Sequence, residues 1–269
     1  MKILSLKDVQ QIELKILLDF QSFCNDNGLR FYLCCGTMLG AARHKGFIPW
    51  DDDIDVMMPR TDYIRLFKLI KINNPFLPDY DFYSPELGNA NYPFSKLVYL
   101  KSHVEQEYLE DESISHIWID IMPVDGLPND PNKIKKIYRK IRRIRKMLML
   151  CLAKPGKATT FSKKVAKMIL TPISKLVGAK RWCKLMNDIS MRLSFDESDF
   201  VGVITWGLYN EKEACYRKKF EKEVLVEFEG YNFPAISCWN EYLSNIYGDY
   251  MQLPPEEKRK IHLLKAWLD

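Results

Sequence analysis

The chain's seven cysteines (Cys24, Cys34, Cys35, Cys151, Cys183, Cys215, Cys238) contain no CxxC pair, and their number is odd. Both facts speak against a disulfide framework and against a thiolate zinc site, and favour free, mostly buried thiols in a reducing compartment. No stretch approaches the roughly 18 consecutive apolar residues that a membrane-spanning helix requires. The opening "MKILSLKDVQQIELKILLDF" lacks the small-residue cleavage site of a secretory leader and mixes charge into helically spaced apolar positions, so the expected compartment is the cytoplasm. No internal repeat or low-complexity tract stands out.

The most informative absence is local. Between Pro131 and Met186 there is no Asp or Glu, while 18 Lys and Arg fall there. That leaves 22 of the chain's 40 basic residues to face all 35 acidic ones, so the net charge of +5 conceals a basic segment set in an acidic remainder. What is present in quantity is apolar: 47% of 269 residues are hydrophobic and 13% aromatic, ample for one substantial core.

Apolar positions Val9, Ile12, Ile16, Leu17, Phe20 and Phe23 predict an amphipathic helix over about 6–26, stopped by "NDNG". "LRFYLCC" reads as a short buried strand, and "GTMLGAARHKG" as a turn into a short helix. "DIDVMMP" reads as a second strand, and "RTDYIRLFKLIKI" as a helix with Thr61 or Asp62 near its start. Residues 72–93, rich in Pro, Asn and Tyr, read as loop. "FSKLVYL", "SHIWIDIMPV" and "FVGVIT" read as strands, and "EVLVEFEGYNF" as strand sequence with a turn at Glu229-Gly230. The basic segment predicts two or more helices broken at "KPGK", and two further helices are expected to close the chain. The pattern predicts an α+β fold: residues 1–130 as a core, 131–195 as an inserted basic helical region, and 196–269 completing the core.

Within "GFIPWDDDIDVMMPR" four aspartates occupy five positions. Alternate residues of a strand share a face, so Asp51, Asp53 and Asp55 point the same way. Half-buried carboxylates so close repel one another, and a hard divalent cation is the natural neutraliser. An EF-hand counted from Asp51 would need Gly and Glu where Val56 and Asp62 stand, so that reading fails. Asp120 lies among apolar residues in "WIDIMPVDG", with Asp125 beyond it at a turn. A Gly-Thr turn, an Asp-x-Asp strand and a later strand aspartate together describe a nucleotidyltransferase-like site.

The stretch "CGTMLGAARHKGFIPWDDDIDVMMPRTDY" closely resembles the signature of the LicD family of phosphotransferases, whose distant relatives include fukutin. The likeness continues through "FSKLVYL", "WIDIMPVDGLP", "FEGYNFPA" and "YGDYMQLPPEEKR". A long ungapped motif followed by ordered later ones is more specific than a lone short pattern. The resemblance implies a nucleotidyltransferase-like mixed sheet flanked by helices, and transfer of a phospho-group from a CDP-activated donor to a sugar hydroxyl of a surface glycan or its lipid-linked precursor. For bacterial members the donor is CDP-choline and the group phosphocholine. CDP-glycerol or CDP-ribitol would keep the chemistry and change the group. A nucleotidyltransferase acting on nucleic acid is the remoter alternative, for which the C-terminal motif has no evident use.

Carried onto this chain, the resemblance makes Asp53 and Asp55 ligands of Mg²⁺ or Mn²⁺, assisted by Asp51, with Asp120 the third carboxylate and Gly36 and Thr37 the phosphate-holding turn. Arg43, His44, Lys45, Lys96 and Asp249 are candidate donor-binding residues, although Lys45 reads equally as solvated, Lys96 as snorkelling, and Asp249 as a helix cap. Trp239 and Tyr247 suit a base or a quaternary ammonium but also a core. His103, His116 and His262 read as ordinary. Isoleucines between the cations of "KIKKIYRKIRRIRKMLMLCLAK" have the composition of an interfacial helix. With acceptors on lipid carriers, as the resemblance implies, they predict a peripheral protein on the anionic inner membrane face through residues 133–184; a solvated helix packed on the core by its isoleucines is the alternative, and no nucleic-acid partner is expected.

Overall fold

A computed structural model describes residues 3–105, 115–154, 161–259 and 265–269. The first helix, α1 (Leu6–Asp26), opens on a capping box between Ser5 and Asp8 and closes at Asn27, where Gly28 adopts a left-handed φ of 58°. Its apolar stripe packs Val9, Ile16, Leu17 and Phe20 into the core. Then come β1 (Tyr32–Leu33), α2 (Cys35–His44), β2 (Asp55–Pro59) and α3 (Arg60–Ile72). Next are β3 (Tyr80–Tyr83), β4 (Ser95–Tyr99), β5 (Ser102–Glu105) and β6 (Ile117–Leu127).

One mixed sheet runs in the order β1-β2-β6-β4-β3. Among the described residues its only parallel pairing is β2 with β6; the other neighbours are antiparallel. The architecture is α+β. After β6 the chain leaves the sheet for α4 (Pro131–Leu152), α5 (Phe161–Val177) and α6 (Ala179–Ser190), then returns as β7 (Phe200–Gly202), which pairs with the far end of β6. The basic helices are thus an excursion between two strands of one sheet. A short strand β8 (Cys215–Tyr216) and helix α7 (Arg217–Glu221) lead to the hairpin β9 (Glu223–Phe228) and β10 (Tyr231–Ile236). That hairpin turns at Glu229 and Gly230, both at positive φ as a tight two-residue turn requires. Helix α8 (Trp239–Tyr247) and strand β11 (Lys265–Leu268) follow.

Several elements depart from expectation. The 72–93 stretch contains β3, where Tyr80 and Phe82 are buried on one face between prolines that mask the alternation. The chain ends in β11, not a helix: Ala266 is buried as β11 pairs antiparallel with β5. Asp125 stands inside β6 rather than at a turn. Helix α3 has no side-chain cap, because Pro59 precedes it and Asp62 is engaged by Arg30 and Arg65. Helix α4 does not keep its isoleucines for a lipid surface, since Ile134, Ile141 and Ile144 are buried in the core beside Tyr138 and Leu148. Most of the "KPGK" break lies outside the described residues, as does His262. His103 meets the Asp269 carboxylate at 2.6 Å, and His116 the Ser102 carbonyl at 2.5 Å.

Candidate active site

The parallel register sets Asp55, the first residue of β2, opposite Asp120 on β6. On the other side of β6, Asp120 is opposite Lys96 of β4. Three adjacent strands therefore carry a row of two acids and one base, with neighbouring strands about 4.8 Å apart. Lys96 does not snorkel. Its ammonium is buried, bonded to Asp120 Oδ1, and lies 4.3 Å from the centroid of the Trp118 ring. Tyr92 and Phe94 complete an aromatic surround at 5.2 and 5.3 Å.

Asp51 and Asp53 reach the same place from the irregular segment before β2. The strand begins only at Asp55, so an extended alternation does not align them. A glycine aligns them. A Cβ on Gly36 would lie 2.9 Å from Asp51 Oδ2 and 3.9 Å from Asp53 Oδ1, so both carboxylates lie against the first turn of α2. That turn is helical from Cys35 onward, where a looser turn into the helix was expected. The first backbone N–H groups of a helix have no partner within it and carry its positive dipole end, which favours carboxylate or phosphate oxygen. Thr37 Oγ1 accepts from Asp55 N at 2.8 Å, so the hydroxyl positions the strand while its own proton remains available to a ligand oxygen.

The electrostatics show strain between like charges. Burial, then Asp53, then weaker influences including Asp120 and Asp51, holds the Asp55 carboxyl well above the usual carboxylate range. Burial also raises Asp120, with the Lys96 charge opposing it. Glu13 was missed by sequence reasoning. It is 2% exposed, its Oε2 has no hydrogen-bond partner among the described residues, and burial followed by Asp53, Asp52 and Asp51 pushes its carboxyl far up. A signal existed: Val9, Glu13 and Leu17 form an i, i+4, i+8 stripe on the apolar face of α1, where an acid is out of place. One turn earlier, Gln10 Nε2 donates to the Asp51 carbonyl at 2.8 Å.

Clustered carboxylate oxygens, and the orphaned buried Glu13 carboxyl beside them, are the donor type a hard divalent cation takes. Asp53 and Asp55, with Asp51, are the residues that would hold it. Among the described residues no three His, Cys, Asp or Glu side chains converge as around a bound ion. Asp120 is drawn to Lys96 instead.

A separate cleft of about 620 Å³ lies further along α2, and none of the clustered carboxylates lines it. Leu39 and Arg43, further along α2, line it, with Trp50 next to Asp51 and Tyr247 from α8. Arg43 Nη1 donates to the Tyr250 carbonyl at 2.8 Å, and the Arg259 guanidinium stacks 4.7 Å from the Trp50 ring. Tyr247 bonds Tyr209 hydroxyl to hydroxyl at 2.8 Å; burial raises both phenols, with Cys35 and Asp55 adding to the effect. Asp249 is exposed on the cleft wall. His44 packs edge-on to Trp50, and burial lowers its pKa, with Arg43 adding to the shift. Lys45 stands apart: it is exposed, ends α2 at a left-handed φ of 59°, and accepts Glu229 N at its carbonyl. Trp239 packs against the core at the start of α8. Sequence reasoning missed Trp50 and Arg259, which only the fold brings to one cleft.

Carboxylates on adjacent strands beside a helix N-terminus, on a mixed sheet, have the arrangement expected of a nucleotidyltransferase-like site. Comparison with known proteins agrees. The LicD/FKTN/FKRP nucleotidyltransferase domain matches residues 28–133. The lipopolysaccharide cholinephosphotransferase LicD of Haemophilus influenzae is 31% identical over 268 residues, 97% of each chain. An uncharacterised protein of Rickettsia prowazekii is 34% identical over 56 residues, 21% of each chain. The chain belongs to the LicD family and is a transferase.

Proposed function

We propose that the chain transfers phosphocholine from CDP-choline to a sugar hydroxyl of a cell-surface glycan or its lipid-linked precursor, using Mg²⁺ or Mn²⁺ and working peripherally at the inner membrane face. The observation that carries the reading is the Asp55–Asp120–Lys96 row beside Asp51 and Asp53, on a chain that aligns end to end with a cholinephosphotransferase.

The acceptor oxygen bonds to the choline phosphorus as the bond from that phosphorus to the CMP oxygen breaks. The acceptor proton passes to a carboxylate, and CMP leaves. Asp120, held in one orientation by Lys96, is placed to receive or direct the acceptor hydroxyl. The N–H groups of Gly36 and Thr37, in the first turn of α2, would receive diphosphate oxygen, and Arg43 and Arg259 carry positive charge along the cleft. Trp50 and Tyr247 supply ring faces for the cytosine or the trimethylammonium group. Asp53 and Asp55 would hold a divalent cation, which would neutralise the diphosphate charge as CMP leaves.

A thermal-shift panel of CDP-choline, CDP-glycerol, CDP-ribitol and CMP, each with Mg²⁺ and with EDTA, tests the reading. Metal-dependent stabilisation by CDP-choline well beyond CMP is expected. Preference for another conjugate would replace the donor and keep the chemistry; no response to any nucleotide would overturn both.

A further inference from the structure

Helix α5 carries an apolar stripe on its outside. Met168 is 71% exposed and Leu176 86%, with Ile173 at 51% beside them. Residues 168, 172 and 176 recur every fourth position, so Met168, Pro172 and Leu176 form one line along the helix. The opposite side is fastened: Ser174 is buried, and its hydroxyl donates to the Met147 carbonyl of α4 at 2.5 Å. Packed against it, α4 exposes eight cations from Lys133 to Lys146, and among the described residues none of the eight forms an ion pair.

We propose that the α5 stripe, together with the cations of α4, is a docking surface for an anionic lipid bilayer. The occupant follows from the charge and the apolar residues taken together. The segment 131–186 contains no carboxylate, so it complements a surface of uniform negative charge. A nucleic acid would satisfy the cations but leave Met168 and Leu176 in water. A bilayer satisfies both, because its headgroup boundary accepts aliphatic side chains beneath a layer of anions. Helix α4 supplies little of the apolar part, Ile134, Ile141 and Ile144 being buried in the core and Ile137 packed against it. Reversible attachment results, since no helix among the described residues is long and apolar enough to span a membrane. This identifies the surface behind the peripheral placement proposed above and does not depend on which donor is used.

The test is co-sedimentation of the full chain with vesicles of phosphatidylcholine alone and of phosphatidylcholine with one-third phosphatidylglycerol. Binding to the anionic vesicles only, weakened by salt, is expected. The double variant Met168→Ser, Leu176→Ser, altered only at exposed positions, is expected to bind roughly tenfold or more weakly, with its thermal melt and its response to CDP-choline unchanged. Failure of the wild type to bind would overturn the inference and the peripheral placement together. Equal binding by the double variant would overturn the inference alone. Retention of a DNA duplex without vesicle binding would assign the cations to nucleic acid and overturn it as well. The donor reading is judged separately, by the nucleotide panel.

Discussion

Strand β6 carries two aspartates, five residues apart, Asp125 buried and Asp120 half-buried, each paired with a cation, and they do different things. Asp125 is 1% exposed and makes a bidentate pair with Arg60, both bonds 2.7 Å. Arg60 continues to Asn187 on α6 and to Thr205, so the network joins the β2–α3 junction, the sheet and the basic helices. Every oxygen there has a partner. Asp120 meets Lys96 through one oxygen and also accepts from the Trp118 side chain, but it is 15% exposed and stands in register with a second carboxylate. A buried pair with its hydrogen bonds complete holds a fold together. A pair left open beside like charge costs the fold stability and is retained where a ligand completes it.

The largest effect should come from breaking the open group. Asp53→Asn or Asp55→Asn is expected to lower turnover by roughly a thousandfold or more while leaving the thermal melt unchanged or raised. Full activity in both would remove these residues from the reaction. The closed pair should respond in reverse. Asp125→Asn leaves Arg60 buried without its partner and should cost roughly 3–5 kcal/mol, lowering Tm by about 10 °C. A melt within two degrees of wild type would show that the network is not structural.

Glu213 sharpens the contrast, because it is a buried carboxyl with neither a closed ion pair nor a place in the row. It accepts Tyr209 N at 2.7 Å, and burial pushes it up to about 8 against the opposing influence of that N–H and of Arg145. A carboxyl pKa raised on folding stabilises the fold fully below the unfolded value and loses that contribution as pH rises through the folded value. This group alone should therefore cost roughly 3 kcal/mol between pH 4.5 and 7. Chemical denaturation across that range should show the loss in wild type and a flatter profile in Glu213→Gln; parallel profiles would contradict the assignment. The smallest effect belongs to Gly36→Ala. Its Cβ would press on Asp51 Oδ2, the movable end of a side chain, so activity should fall about tenfold, about 1.4 kcal/mol of transition-state stabilisation, with little change in stability. Unchanged activity would show that the carboxylate's contact with α2 is immaterial.

How much of this could be read from the sequence follows the range of the interactions. Helix α1, the Glu229–Gly230 turn and the aspartate cluster are local and legible: periodicity, a positive-φ pair and charge density each fall within a few residues. The row from Asp55 through Asp120 to Lys96 depends on β2 and β4 flanking β6, and nothing within any one strand states that order. Asp51 and Asp53 were aligned in expectation by an alternating strand that does not extend to them; their real alignment comes from the missing side chain at Gly36. Trp50 and Arg259 meet across more than 200 residues, beyond the reach of any pattern. The isoleucines of α4 were legible as a stripe, but whether core or lipid covered them required the fold.

The most direct test of the open-row account is Mn²⁺ titration of the wild type, Asp55→Asn and Asp125→Asn, followed by calorimetry or by the ion's paramagnetic signal. The account predicts saturable binding to the wild type, loss of at least about tenfold in affinity in Asp55→Asn, and retention in whatever fraction of Asp125→Asn remains folded. Equal affinity in Asp55→Asn, or no binding to the wild type, would contradict it.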